Sequence, residues 1–191
     1  MALHVSNWGE AENGRRPAPD PRISALVPAM GVAVQMSMAC EPEVLWDLIT
    51  TVERIGEFSP ECAEAWWVEG FPAHTEGGRF EGRNRVDAEG DTFEWIRPCD
   101  VVAYDPPHRF AYTVGDRFDG TPATRWTFEI TPTESGCVVE QRFEHLPDGL
   151  SGARLQAEQV ADAEALIAAR RAMLRDGMEQ TLERIRRVLG A

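Results

Sequence analysis

The chain of 191 residues carries 32 acidic and 19 basic side chains, a formal net charge of −13, and every basic residue is arginine. That length suits one domain with a substantial core. The acidity concentrates in the middle of the chain and repels phosphate backbones and anionic lipid surfaces, which excludes nucleic acid as an expected partner.

In chain order, residues 1–30 hold Gly14, Pro17, Pro19, Pro21 and Pro28 with little periodicity. They read as a flexible N-terminal extension, docked at most through Trp8 or Leu26. The first residues lack the basic start and apolar core of a secretory signal, and no apolar run reaches bilayer length. A cytoplasmic protein with no membrane insertion is therefore expected. Residues 31–191 read as a single domain. Val32–Ala39 alternates weakly and predicts the first strand. Pro42 suits the first position of a helix, and Glu43 suits its positive pole. Val44, Leu45, Leu48, Ile49 and Val52 then form a helical stripe that stops at Gly56. The segment from Phe58 to Cys62 restarts the chain as a second short helix or turn.

Strands are predicted at Ala65–Glu69, Arg79–Val86, Thr92–Ala103, Arg109–Val114, Ala123–Thr131 and Cys137–His145. Gly77-Gly78, the run from Ala88 to Asp91, Asp105-Pro106-Pro107 and Glu134-Ser135-Gly136 punctuate them. Connections this short imply antiparallel hairpins. Pro98 predicts a bulge or an edge. Past Pro147-Asp148-Gly149 the pattern is helical from Ser151 to Leu189, with Leu174, Met178, Leu182, Ile185 and Leu189 on one buried face. An unbroken helix of that reach would be about 55 Å long at 1.5 Å per residue. That exceeds the domain, so a break is expected in 160–170.

Strand parity selects the inward side chains. Arg79, Glu81, Arg83 and Arg85 must be wet, which turns Phe80, Gly82 and Asn84 inward. Phe93 and Trp95 follow on the next strand, then Phe110, Tyr112 and Val114, then Trp126, Phe128 and Ile130. On the last strand Val139, Gln141, Phe143 and His145 oppose Glu140, Arg142 and Glu144. Bulky rings on a bent sheet under a helix fill space incompletely, and a pocket of about 300–1,000 Å³ is the expected result. For Trp66 and Trp67 parity does not decide.

The segments Pro42-Glu-Val-Leu-Trp-Asp-Leu-Ile, Phe58-Ser-Pro-Glu-Cys, Gly77-Gly-Arg-Phe-Glu-Gly-Arg-Asn-Arg and Asp105-Pro-Pro-His-Arg-Phe-Ala-Tyr resemble the SRPBCC superfamily. More narrowly they resemble its polyketide cyclase/dehydrase and lipid-transport-like branch, and Gly177-Met-Glu-Gln-Thr-Leu-Glu-Arg-Ile resembles that branch's closing helix. The resemblance covers about residues 31–189. It implies an α+β helix-grip fold: a curved antiparallel sheet of about seven strands wrapped around a long C-terminal helix, with two short helices after the first strand. It also implies a cavity between sheet and helix and favours Trp67 inward. It carries no catalytic signature. The segment from Asp148 to Ala172 matches nothing distinctive and is assigned to the mouth of the pocket.

The expected ligand-lining set is Phe58, Trp67, Phe80, Asn84, Trp95, Tyr112, Trp126, Phe128, Gln141, Phe143, His145, Met173 and Met178. Its polar members Asn84, Tyr112, Gln141 and His145 must bond one another, a water or a ligand, because a buried unpaired polar group costs roughly 1–3 kcal/mol. His145 is the acid/base candidate by its reference pKa near 6.5, set against a structural or rim role at a strand end. Arg97 falls on the inward parity and has two readings: it holds a ligand carboxylate or enolate, or it pairs with Asp100. His74 and His108 read as surface residues. Met173 and Met178 read as core, or as flexible lining. Cys40, Cys62, Cys99 and Cys137 have no zinc spacing and read as reduced thiols. No nucleophile elbow, phosphate loop or dinucleotide fingerprint occurs, so no cofactor and no metal are expected. The expected partner is a hydrophobic or aromatic small molecule. It is either processed by a cyclase or dehydratase reaction, or carried or sensed without chemistry. A protein-interaction module with a vestigial pocket is the remaining alternative.

Overall fold

The alternating segments pair into one antiparallel sheet. The computed structural model describes residues 16–88 and 91–190; His4, Trp8, Gly14 and the middle of the Ala88–Asp91 turn lie outside the described residues. The strands are β1 (Val32–Met38), β2 (Cys62–Trp67), β3 (Arg79–Ala88), β4 (Asp91–Asp105), β5 (Arg109–Gly115), β6 (Pro122–Thr133) and β7 (Gly136–His145). Their spatial order is β1-β7-β6-β5-β4-β3-β2, so the two earliest strands form the two edges. This is the α+β helix-grip arrangement, with α2 (Pro42–Thr50) and α3 (Ile55–Phe58) after the first strand and α5 (Ala163–Leu189) closing the sheet.

Pro42 occupies the first turn of α2 as expected, with Glu43 beside it. α5 buries Leu166, Ile167, Leu174, Met178, Thr181, Leu182 and Ile185 along one stripe. That stripe joins Phe80, Phe110, Tyr112, Phe128, Val139 and Phe143 of the sheet in one core. The helical break falls over residues 158–162, at the edge of the expected window: α4 (Gly152–Ala157) ends there, and Asp162 restarts the chain by accepting from the Ala165 amide at 2.9 Å. Beyond Leu189, Gly190 takes the left-handed conformation that ends a helix without a Cβ clash.

One expectation holds in one of its two forms and another is corrected. Pro98 marks an edge rather than a bulge, since the register shift in β4 lies between Val101 and Ala103. Pro98 stays in register opposite Glu81, one residue past the last β4–β5 pair (Cys99 with Val114), so its missing N–H faces no strand. Residues 21–30 are not a loose extension. Pro21–Leu26 form α1, Val27–Met30 a 3₁₀ turn, and Ile23, Val27 and Met30 are buried in the core. Wide spacing of these apolar residues among prolines hid the pattern. Arg154 of α4, which has no exposed surface, staples this segment: it donates to Ser24 Oγ at 2.7 Å, to Asp20 O at 3.1 Å, to the Pro147 carbonyl, and to Glu158 Oε1 at 3.1 Å. Arg16 adds an ion pair to the buried Asp116 at 3.0 Å.

Candidate ligand site on the inner face of the sheet

Pairing register places the predicted inward residues side by side. Trp67 lies opposite Phe80, Asn84 opposite Trp95, Tyr112 opposite Trp126, and Trp126 opposite Phe143. Phe80 packs edge-on between Trp67 (5.7 Å between ring centres) and Tyr112 (5.0 Å), and Trp126 meets Phe143 at 4.9 Å. Trp67 is thus inward, while Trp66 stands on the other face with the Arg83 guanidinium over its ring at 5.6 Å. Phe58, Phe80, Tyr112, Phe128, Gln141, Phe143, His145 and Met178 are all buried. Asn84, Trp95 and Trp126 are half-buried. They sit toward the end of the sheet that carries the β3–β4 and β5–β6 turns and the exit of β7. Packing is closed in the middle of the sheet, and partial exposure is confined to that end of the expected set.

Met173 is corrected: it is 46% exposed and lies outside this surface. The α5 stripe passes through Leu174, and a one-residue step turns a helical side chain by about 100°. Met178 stays on the stripe.

The polar atoms do not satisfy one another. Gln141 Oε1 and Trp67 Nε1 are buried without a hydrogen-bond partner among the described residues. The Tyr112 hydroxyl makes no hydrogen bond among the described residues, and burial raises its pKa well above the usual phenol value, so it stays a neutral donor. Arg97 is half-buried on the inward side of β4 and donates to the carbonyl of Ile96 at 2.8 Å. Its expected alternative partner, Asp100, is instead held by Arg79 at 2.6 and 3.0 Å. Arg97 forms no ion pair among the described residues. Burial first, and then the nearby Arg117 cation, lower its pKa, against a smaller opposing pull from Asp116. Arg117 was not legible in the sequence, because the β5–β6 loop that brings it beside Arg97 has no periodicity.

Both ring nitrogens of His145 are engaged within the protein. Its Nδ1 lies 2.8 Å from Leu146 O and its Nε2 2.7 Å from Ser151 Oγ. Nδ1–H therefore donates to the carbonyl and Nε2 accepts from the serine, which also caps α4 by accepting from the Arg154 amide. Burial, assisted by the Arg154 charge, pushes its pKa down to about 4. The ring joins the end of β7 to the start of α4. Ser151 standing before a helical run was the available signal. A pH effect follows. In the unfolded chain the group titrates near 6.5, so as pH falls from about 6.5 toward 4 the unfolded state gains a proton that the folded state refuses. Stability is then lost across that window, by up to about 3 kcal/mol. Denaturation of the parent and of His145→Gln at pH 7 and pH 4.5 should show a smaller pH-dependent loss in the variant.

His74 and His108 are exposed as expected, although His74 stacks near Trp67 at 4.9 Å. All four cysteines are free thiols, and burial pushes Cys62 up to about 12. Two open grooves, of about 750 and about 480 Å³, lie away from the inner face. One runs between β1 and α5, and the other lies beside Met38 and Cys137; neither is lined by any expected ligand-lining residue. No helix among the described residues is long and apolar enough to cross a membrane.

Comparison with known proteins agrees with this geometry. A polyketide-cyclase-like protein of Corynebacterium glutamicum, Cgl2372, superposes with a TM-score of 0.60 at 26% identity, over 84% of this chain and 91% of that one. Protein Ms6760 of Mycobacterium smegmatis shares the fold with a TM-score of 0.56 at 16% identity, over 86% of this chain and 93% of its own. The di-domain ARO/CYC StfQ from the steffimycin biosynthetic pathway matches with a TM-score of 0.59 at 16% identity, over 82% of this chain and 49% of its own. No curated protein matches the chain. The model of the family described as polyketide cyclase / dehydrase and lipid transport matches residues 30–190, and the chain belongs to that family.

Proposed function

We propose that the protein binds a hydrophobic, aromatic small molecule bearing an anionic or enolate oxygen at the open end of the inner face. The observation that carries this reading is that three inward polar atoms have no hydrogen-bond partner, and an inward arginine no acidic partner, among the described residues. Tyr112 Oη, Gln141 Oε1 and Trp67 Nε1 are unmatched, and Arg97 lacks a carboxylate. Each unmatched buried group costs roughly 1–3 kcal/mol, a cost that a guest removes by accepting from Tyr112 Oη and Trp67 Nε1 and donating a hydroxyl to Gln141 Oε1. Trp95, Trp126 and Asn84 supply the walls. The Arg97 and Arg117 cations supply the electrostatic attraction, in a chain whose net charge of −13 otherwise repels anions.

The family and the ARO/CYC relative favour a cyclase or dehydratase use of such a site. Holding a flexible substrate in one pose supplies most of what an aldol closure or loss of water requires. A guanidinium and a neutral phenol would then stabilise the oxygen on which negative charge develops. A carrier without chemistry uses the same contacts. The closed packing of Phe80, Phe110, Tyr112 and Phe128 favours a second reading, an interaction module whose interior is filled.

The test uses two fluorescent aromatic probes, anionic anilinonaphthalene sulfonate and neutral N-phenylnaphthylamine. Both should bind the folded protein. Arg97→Gln should weaken the anionic probe by about ten- to a hundredfold, matching the ~1.5–3 kcal/mol of a charged hydrogen bond, and leave the neutral probe nearly unchanged. Failure of both probes to bind, with no small molecule retained in native mass spectra, leaves the filled-interior reading standing.

A further inference from the structure

Two of the four thiols meet at the end of the sheet remote from Trp126. Cys137 stands near the start of β7, opposite Met38 on one side and Pro132 on the other, whereas Trp126 pairs with Phe143 near the strand's far end. β1 ends at Met38, and the chain then bends at Ala39 and Cys40 around the β6–β7 turn. Gly136 permits this close approach. Its φ is 139°, and a Cβ there would run into the Met38 carbonyl oxygen and lie 3.1 Å from the Cys40 amide nitrogen. The backbone of Cys40 is thereby held against the residue that precedes Cys137, and the two thiols hydrogen-bond to each other. Both are free. Cys137 is buried and Cys40 is half-buried. The groove of about 480 Å³ passes beside Met38, Ala39 and Cys137 and opens this corner to solvent.

The contact is directional. Burial raises both thiols, Cys137 to about 11. The S–H of Cys137 donating to the Cys40 sulfur opposes that rise at Cys40 and adds to it at Cys137. Cys40 therefore ionises before Cys137, and it is also the thiol with more exposure. The other two thiols are turned to carbonyls instead: Cys62 donates to Glu64 O at 3.3 Å and Cys99 to Arg97 O at 3.8 Å.

We infer that Cys40 and Cys137 are a dithiol modification site, at which a hydroperoxide forms a reversible disulfide between the exit of β1 and the start of β7. The Cys40 thiolate attacks one peroxide oxygen. The O–O bond breaks, the leaving oxygen takes up protons and departs as water, and Cys40 becomes a sulfenic acid. The Cys137 sulfur then attacks the Cys40 sulfur. The S–S bond forms, the S–O bond breaks, and a second water leaves with the Cys137 proton. Two thiols and one hydrogen peroxide thus give one disulfide and two waters; the sulfurs lose two electrons and the peroxide oxygens gain them. The new bond closes a loop that contains α2, α3 and β2 to β6. Closing so long a loop restricts the unfolded chain far more than the folded one.

The test treats the full chain with a small molar excess of hydrogen peroxide and reads intact mass, peptide maps and thermal melting, each with and without dithiothreitol. The parent should lose two hydrogens, yield a cross-linked peptide that joins Cys40 to Cys137, and melt about 5–15 °C higher. Dithiothreitol should reverse all three changes. Cys40→Ser, at a half-buried position, should form no disulfide and show no rise in melting temperature. Cys137→Ala should instead leave a Cys40 sulfenic acid that dimedone traps. A parent that stays unmodified, one that gains oxygen on Cys40 without a cross-link, or one whose cross-link joins Cys62 to Cys99 overturns the inference. These readouts need no ligand, so failure here leaves the proposed function untouched.

Discussion

Replacement of Arg154 by alanine is expected to lower stability by about 3–5 kcal/mol, the range for leaving a buried charge network without its central partner. The side chain has no exposed surface, and its guanidinium is shared between Ser24 and Asp20 near the N-terminus, Pro147 after β7, and Glu158 of α4. Truncation leaves the Pro147 carbonyl without its side-chain donor and takes one donor each from Asp20 O and Glu158 Oε1, which keep the amides of Ser24 and Asp20. It also removes the one member that, among the described residues, touches all three segments at once. Arg154→Lys should recover little, since one ammonium cannot span acceptors arranged for a planar fork. Urea denaturation measures the loss. Hydrogen exchange locates it: protection should fall first in residues 20–30 and 146–158 and last in β5–β7. A loss below about 1 kcal/mol, with uniform exchange, would show that the staple is ornamental.

Phe80→Ala should be comparably severe, at about 3–5 kcal/mol. Phe80 is 1% exposed and wedged edge-on between Trp67 and Tyr112, so the gap left behind is bordered by rigid rings that relax little. Phe80→Leu should cost clearly less, because it keeps most of the volume. The unfolding midpoints of the three proteins in urea decide the matter. A small effect of Phe80→Ala would mean that the ring already borders empty space, and therefore that the interior is roomier than its packing indicates.

Both predictions rest on features with different visibility in the sequence. The inward position of Phe80 was legible from parity alone, since Arg79, Glu81 and Arg83 on the other face cannot all be buried. The same reasoning placed Tyr112, Phe128, Gln141 and Phe143, and it extended two residues beyond Trp95 to Arg97. Arg154 was not legible. Nothing in Gly-Ala-Arg-Leu distinguishes a fully buried arginine from a solvated one, because Asp20 O and Ser24 Oγ, the acceptors that enclose it, lie more than a hundred residues away in the sequence. Met173 failed for a related reason: the stripe on α5 was clear, but which of two adjacent residues lay on it depends on helix rotation against the sheet. His145 was correctly placed on the inner parity. Its role, however, was set by Leu146 and Ser151, which fold back only after the strand ends.

Local periodicity determined the strands, the helices, the hairpin order and the aromatic inner surface, because burying one face of a pleated strand or a helix imposes a repeat that survives in one dimension. Tertiary structure decided what that surface contains. It left Tyr112 and Gln141 unmatched, brought Arg117 beside Arg97 and locked His145 to α4. Each of these depends on contacts between segments far apart in the chain, and such contacts impose no repeat on the residues that make them.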